Sequence, residues 1–327
     1  MASINIGQLV ATTLRNRRDE LVDNMSDNVP FYNRLRKKNK MTLDGGRDIV
    51  IPLEYAENGS FQFYSGYETL NISVNDFIDA AVYDWKQASI AVSISGLEQI
   101  RNSGRHAVIK LLSSKINNAR RTYVNQMGAQ VHADGTGSGG KEIGGLGLLV
   151  PTTVTNQVGG IDANTYTFWQ SKILDATTYN SGATTKDNIQ DWMQNLYIQL
   201  TRNGDKPDLG LFSNVYYQMY WRSLTGIQRI SGTSEGRSGF DTLKFVNMDC
   251  VLEGGIGGNM NDSNSVANAT AFFLNTDYLS FVTHTDRDME VIGGERHSLN
   301  QDAMVQLQLW AGNMTCSNRM LQGKVKE

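Results

Sequence analysis

Four histidines, two cysteines and a glycine-rich turn are the groups in this 327-residue chain whose types could do chemistry. His106, His132, His284 and His297 show neither the His-x3-His nor the His-Glu-x-x-His spacing that sets two imidazoles on one side of a metal. His132-Ala133-Asp134 alone is a weak metal suggestion, and solvated or hydrogen-bonded histidines account for all four. Cys250 and Cys316 lie far apart, match no zinc or disulfide framework and sit in no catalytic signature. There is no Gly-x-Ser-x-Gly elbow. Asp286, Asp288 and Glu290 could mimic a cation site, but they alternate with Arg287, Met289 and Val291, as charges do on the outer face of a strand.

The turn Asp134-Gly135-Thr136-Gly137-Ser138-Gly139-Gly140-Lys141 has the glycine and lysine spacing of a phosphate-binding loop. Glu142 stands where a magnesium-binding hydroxyl is needed, and the turn follows a helix where a strand is required, so it reads as a connector. Gly254-Gly255-Ile256-Gly257-Gly258 is followed by loop and fails the dinucleotide fingerprint. The sequence therefore names no catalytic residue, no cofactor and no metal, and an enzyme reading has nothing to carry it.

Arg34, Arg36, Lys37, Lys38 and Lys40 put five cations in seven residues. Such a cluster is either a solvated face or a contact with phosphate or a neighbouring subunit. The whole chain has a formal charge of −3, so any polyanion contact is local. No apolar run approaches the roughly 20 residues of a membrane helix, and the N-terminus lacks a signal pattern.

Residues 4–25 carry apolar groups at helical spacing and form an amphipathic arm with the basic cluster behind it. Residues 47–94 read as β: a strand at Arg47 to Leu53, a short piece from Ser60 to Tyr64, and a return strand from Asp79 to Ser95. That return strand would run on the order of 50 Å, too long for a compact core. The arm and this extension are thus expected to lack a core within their own chain. Ser95-Gly96-Leu97-Glu98 has the capping-box form, and one long helix is expected from Arg105 to Ala133 with a break at Gly104. Its cations Lys110, Lys115, Arg120 and Arg121 face solvent or line a cavity. A mixed unit follows, with a helix over 188–202, a buried strand at Leu209 to Phe212, a helix over 214–223 and a strand over 246–252. Strands at 271–274, 279–284 and 304–310 close the chain, the last with Val305, Leu307 and Leu309 expected on its buried face.

This order of elements resembles the major capsid proteins of tailed bacteriophages, of the Hong Kong 97 type. Two motifs carry the likeness: Ser93-Ile94-Ser95-Gly96-Leu97-Glu98-Gln99-Ile100-Arg101-Asn102-Ser103-Gly104, and Leu309-Trp310-Ala311-Gly312-Asn313-Met314-Thr315-Cys316-Ser317-Asn318-Arg319. The resemblance implies an α+β fold with an N-arm over 1–46, an extended β-hairpin loop over 47–94, a peripheral domain with a long spine helix over 95–143 and 285–327, and an axial domain over 144–284. It implies hexamers and pentamers closing an icosahedral shell around double-stranded DNA, assembled in the host cytoplasm. A separate scaffolding protein, a portal, and a decoration or cementing protein are the partners the resemblance implies, with non-specific DNA contact and no membrane. Phe61, Phe63, Tyr64 and Tyr67 are the expected intersubunit contacts, and Arg34, Arg36, Lys37, Lys38 and Lys40 face DNA or neighbours. Some relatives cross-link their loops through a lysine, but no lysine lies between Met41 and Trp85. A bacterial encapsulin-like nanocompartment shell is the alternative within the fold, and a nucleic-acid-handling protein the alternative outside it.

Overall fold

The computed structural model describes residues 29–72, 76–101, 111–224, 242–254, 266–297 and 302–327. Expectations for the arm over 4–25, the Gly104 break, Lys110 and the turn beyond Gly254 lie outside them. Helix α1 (Pro30–Lys38) starts with proline in its first turn, where the missing N–H costs nothing. Strands β1 (Lys40–Leu43), β2 (Ile49–Glu54), β3 (Ile78–Tyr83) and β4 (Lys86–Ser95) follow, then helices α2 (Gly96–Arg101) and α3 (Leu111–Gln130). The second half supplies the hairpin β5 (Gln157–Val158) and β6 (Ile161–Asp162), strand β7 (Lys172–Asp175), helix α4 (Ile189–Gln199), strand β8 (Leu209–Phe212) and helix α5 (Asn214–Ser223). The chain ends in the hairpin β9 (Thr242–Phe245) and β10 (Met248–Leu252), then β11 (Thr270–Leu274), β12 (Leu279–His297), β13 (Ala303–Cys316) and β14 (Gly323–Lys326).

Two main sheets organise these elements. The first has the order β1-β12-β13-β4, and the second the order β7-β14-β11-β8-β10-β9. The second is buried on both faces, which is why Leu209 to Phe212 reads as an unbroken apolar run. Leu209, Leu211, Val251, Phe272 and Leu274 join the core that reaches the first sheet. Phe212, Cys250, Ala271, Phe273 and Val325 face α4 and α5 and pack with Trp192, Leu196, Tyr216 and Tyr220. The stretch 285–327 is shared between the sheets, since β13 lies in the first while β14 pairs with β7 and β11 in the second.

The long helix spans Leu111–Gln130 among the described residues, about 30 Å at 1.5 Å per residue. It buries Ala119, Tyr123, Val124 and Met127. The capping box is formed: Glu98 N–H donates to Ser95 Oγ and Ser95 N–H to Glu98 Oε2, both at 3.2 Å.

Four expectations are corrected. Residues of the arm do have a core in their own chain: Phe31, Tyr32 and Leu35 are each 1% exposed, and Tyr32 packs edge-on against Phe281. The return strand is two strands, because β3 pairs with β2 while β4 crosses at Asp84-Trp85 to pair with β13. Residues 60–64 form no strand; the Asn58 side chain accepts from Ser60 N–H at 3.0 Å and holds a local turn instead. Finally, β13 presents the opposite face to the core from the one expected. Trp310, stacked on Phe281 at 5.5 Å, and Met314 fix its parity, so Gln308 is buried and Leu307 is 39% exposed.

Candidate functional site

The groups with reactive potential are dispersed. Cys250 and Cys316 are buried, and burial pushes the Cys316 thiol up to about 12 and Cys250 upward as well, which leaves them protonated and inert. Asp288 is paired with Lys40, and the His284 ring packs on Trp85. In the 134–141 turn, Asp134 accepts from Thr136 N–H at 3.0 Å and Glu142 accepts from Ser138 Oγ at 2.9 Å. A carboxylate thus turns into the space a phosphate would need. Among the described residues no three His, Cys, Asp or Glu side chains converge on a metal position, and no helix is long and apolar enough to cross a membrane.

The basic cluster is divided by the fold. Arg34 binds Asp208 at 3.0 Å and Asp249 at 3.5 Å, Lys38 binds Asp208 at 3.0 Å and Asp277 at 3.3 Å, and Lys40 pairs with Asp288. Three of the five cations therefore meet carboxylates of their own chain. Burial would raise the Asp208 carboxyl, but Thr276, Arg34 and Lys38 outweigh it and hold it below the usual value. That contribution to seating α1 is complete above the ordinary carboxylate pKa and is lost as acid titrates Asp208. Arg36 lies over the Tyr32 ring at 5.9 Å, and Lys37 is exposed. On α3, Lys115 binds Glu98 at 2.7 Å and Ser93 O at 2.8 Å, and Arg120 is exposed.

The loop between β2 and β3 is built differently at its two ends. Its base is anchored: Ile49, Leu53, Ala81 and Tyr83 are buried, the Tyr83 hydroxyl donates to Cys316 O at 2.9 Å, and Val82 N–H donates to Gly159 O at 2.9 Å. Tyr55 stacks on Phe168 at 5.2 Å. Past that point local hydrogen bonds run from Gln62 to Thr69 O, Ser65 N–H to Glu68 and Asn71 to Gly59 O. Phe61 is 79% and Phe63 91% exposed, and Tyr64, Tyr67, Leu70 and Ile72 are exposed with them. Phe61 meets Phe63 edge-on at 5.3 Å. Together these side chains form an exposed apolar surface on one loop.

Two features of the subunit have almost no local sequence signature. Glu253 is buried beside His132, and Arg319 is fully buried against Leu149, Asn156 and Trp169. Both depend on contacts between residues more than a hundred positions apart, and only His132-Ala133-Asp134 gave a hint of the first.

No family model matches the sequence, and no curated protein matches it. The fold is similar to that of chains from phage and encapsulin structures. A chain of the cyanophage A-1(L) capsid is similar with a TM-score of 0.63 and 13% identity, covering 94% of this chain and 95% of that one. A chain of the Gordonia phage Cozz structure aligns with a TM-score of 0.57 and 12% identity over 99% of this chain and 95% of its own. A chain of the holo-SrpI encapsulin complex from Synechococcus elongatus aligns with a TM-score of 0.59 and 8% identity over 100% and 96%.

Proposed function

We propose that this chain is the major capsid protein of a tailed bacteriophage, a structural subunit that closes into hexamers and pentamers of an icosahedral shell. The observation that carries the reading is the aromatic loop: its base is anchored in a fold similar along nearly its whole length to a capsid chain, and among the described residues its tip rings stay exposed. In this reading the β2–β3 hairpin and the loop it carries are the extended loop, α3 the spine helix of a peripheral domain built on the first sheet, which includes β4, and the second sheet with α4 and α5 the axial domain. The fold's work is geometric: one subunit's apolar tip lies on the next, and the summed burial closes the shell. Among the described cations of α1 and α3, the exposed Lys37 and Arg120, with Arg36 beside Tyr32, are those that would meet neighbours or the backbone of packaged DNA without sequence preference. A scaffolding protein, a portal and a decoration or cementing protein are the partners such a shell takes.

Electron microscopy of the purified protein is expected to show closed icosahedral particles. A stable monomer under assembly conditions would overturn the reading. The encapsulin similarity supports the second reading, and particle contents separate the two: double-stranded DNA for a virion, an enzyme for a nanocompartment.

Covalent loop cross-links are not expected. They need an amine nucleophile near the loop tip, and the first lysine after Met41 is Lys86, whose ammonium donates to Gly140 O at 2.7 Å at the loop base. Mature particles boiled in detergent and reductant should run as a single band near 36 kDa, whereas a ladder of multimers would contradict this.

A further inference from the structure

Two buried titratable groups that the assembly reading does not use face each other where α1 meets the body of the subunit. Glu253 directly follows β10, and its Oε2 accepts from Phe31 N–H, in the first turn of α1, at 3.3 Å. Its Oε1 lies 3.7 Å from Nε2 of His132, two residues past the end of α3, and neither atom has a hydrogen-bond partner among the described residues. His132 Nδ1 is 2.9 Å from Gly128 O, which assigns the ring proton to Nδ1 and leaves Nε2 as an acceptor pointed at the carboxyl. Gly128 also makes room for the arm, since a Cβ there would sit 2.5 Å from Val29 Cγ2. One turn of α3 thus seats α1 and orients the imidazole.

The other described charges around the junction pair with one another. On α1, Arg34 is held by Asp208 and Asp249 and Lys38 by Asp208 and Asp277; on β9, Lys244 lies 3.9 Å from Asp249. From β8 the Phe212 carbonyl accepts from Glu253 N–H, and from the loop ahead of β11 the Val266 N–H donates to Glu253 O. Among the described residues no lysine or arginine ion-pairs with Glu253.

We propose that Glu253 and His132 form a proton-held clasp for α1: with α1 seated the carboxyl is the neutral acid, and unseating α1 releases its proton to solvent. Burial pushes Glu253 up to about 8 against the opposing pull of the Phe31 N–H, and burial pushes His132 down to about 4 against the Gly128 carbonyl. Glu253 is raised, so its contribution is full in acid and lost as pH rises through about 8. His132 is depressed, so its contribution is present above the ordinary imidazole value of 6.5 and lost as pH falls toward 4. Between 4.5 and 6.5 the proton that Glu253 gives up on opening is taken by the freed imidazole, and the opening constant is level. From 6.5 to 8 only the release remains, and opening rises about tenfold per pH unit before it levels off.

The test is amide hydrogen exchange of α1 in the full chain across this range, corrected for intrinsic exchange, with infrared spectra beside it. The wild type should show that rise and the carbonyl band of a protonated carboxyl at neutral pH. Glu253→Gln keeps an acceptor for Phe31 N–H and supplies a permanent donor to His132, so its opening should be level above pH 6.5 and the infrared band absent. His132→Asn removes the compensating imidazole, and its slope should continue below 6.5. A wild type with no rise, a Glu253→Gln chain with the same rise, or a neutral-pH spectrum without the protonated band would each overturn the clasp. The infrared comparison of wild type at low and high pH stands even if a variant does not fold.

Discussion

Replacing Phe61, Phe63, Tyr64 and Tyr67 together by serine is expected to leave a folded subunit that no longer closes into particles. Each ring placed fully against a neighbour contributes about 2 kcal/mol. Four per subunit, repeated around every capsomer, exceed what a marginal shell contact can lose. The same rings contribute little to the isolated subunit: they are exposed, and the contact between Phe61 and Phe63 is the one ring pair they make among the described residues. Exposed substitutions of this kind change stability by about 0.5 kcal/mol or less. Dissociated variant and wild-type subunits should therefore melt together, while sedimentation separates them, shells for one and small species for the other. If the variant assembled at the wild-type concentration, the loop tip would not be the assembly contact.

The exposed apolar loop was legible because aromatics on a polar, glycine-bearing loop have no burial partner in the local pattern, and that is visible in the residue types. The capping box at Ser95 and Glu98 was legible for the opposite reason, being a purely local pattern whose two hydrogen bonds close within four residues. Helices α4 and α5 and the doubly buried strand β8 were likewise readable, since periodicity and run length respond to one or two covering layers.

The sheet change at Asp84-Trp85 was not readable. The buried side switches across it, from Ala81 and Tyr83 to Val92, and what divides the strand is partner choice: β2 and Gly159 O on one side, β13 on the other. The parity of β13 was lost in the same way. Val305, Leu307 and Leu309 alternate as a buried face should, but the face is set further along by Trp310 and Met314, and a strand has one parity. The basic cluster read as one surface because charge adjacency is local. Its division follows from Asp208, Asp249, Asp277 and Asp288, which the chain brings back from more than 160 residues away.

Arg319→Ala is expected to cost about 3–5 kcal/mol of subunit stability, the largest single-residue effect outside the aromatic core. Arg319 lies between β13 and β14 with its side chain 0% exposed. Among the described residues no carboxylate reaches it; Nε donates to Leu149 O at 2.9 Å, Nη2 to Asn156 Oδ1 at 2.8 Å, and the guanidinium sits 5.9 Å from the Trp169 ring centroid. Alanine would leave a cavity and take the guanidinium donors from two buried acceptors. Lysine would restore charge without the planar fork that serves both, and should recover little. Methionine fills most of the volume and brings no charge to desolvate, so it should cost less than alanine. The loss should also reach the assembly loop, because the segment Arg319 holds continues to Val158, whose carbonyl accepts from Trp169 Nε1 at 2.9 Å, and to Gly159, whose carbonyl accepts from Val82 N–H in β3. Chemical denaturation of dissociated subunits gives the ranking, and hydrogen exchange at residues 78–83 gives the coupling. An alanine variant within about 0.5 kcal/mol of wild type, below the usual cost of a core deletion, would show that Arg319 does not anchor this junction.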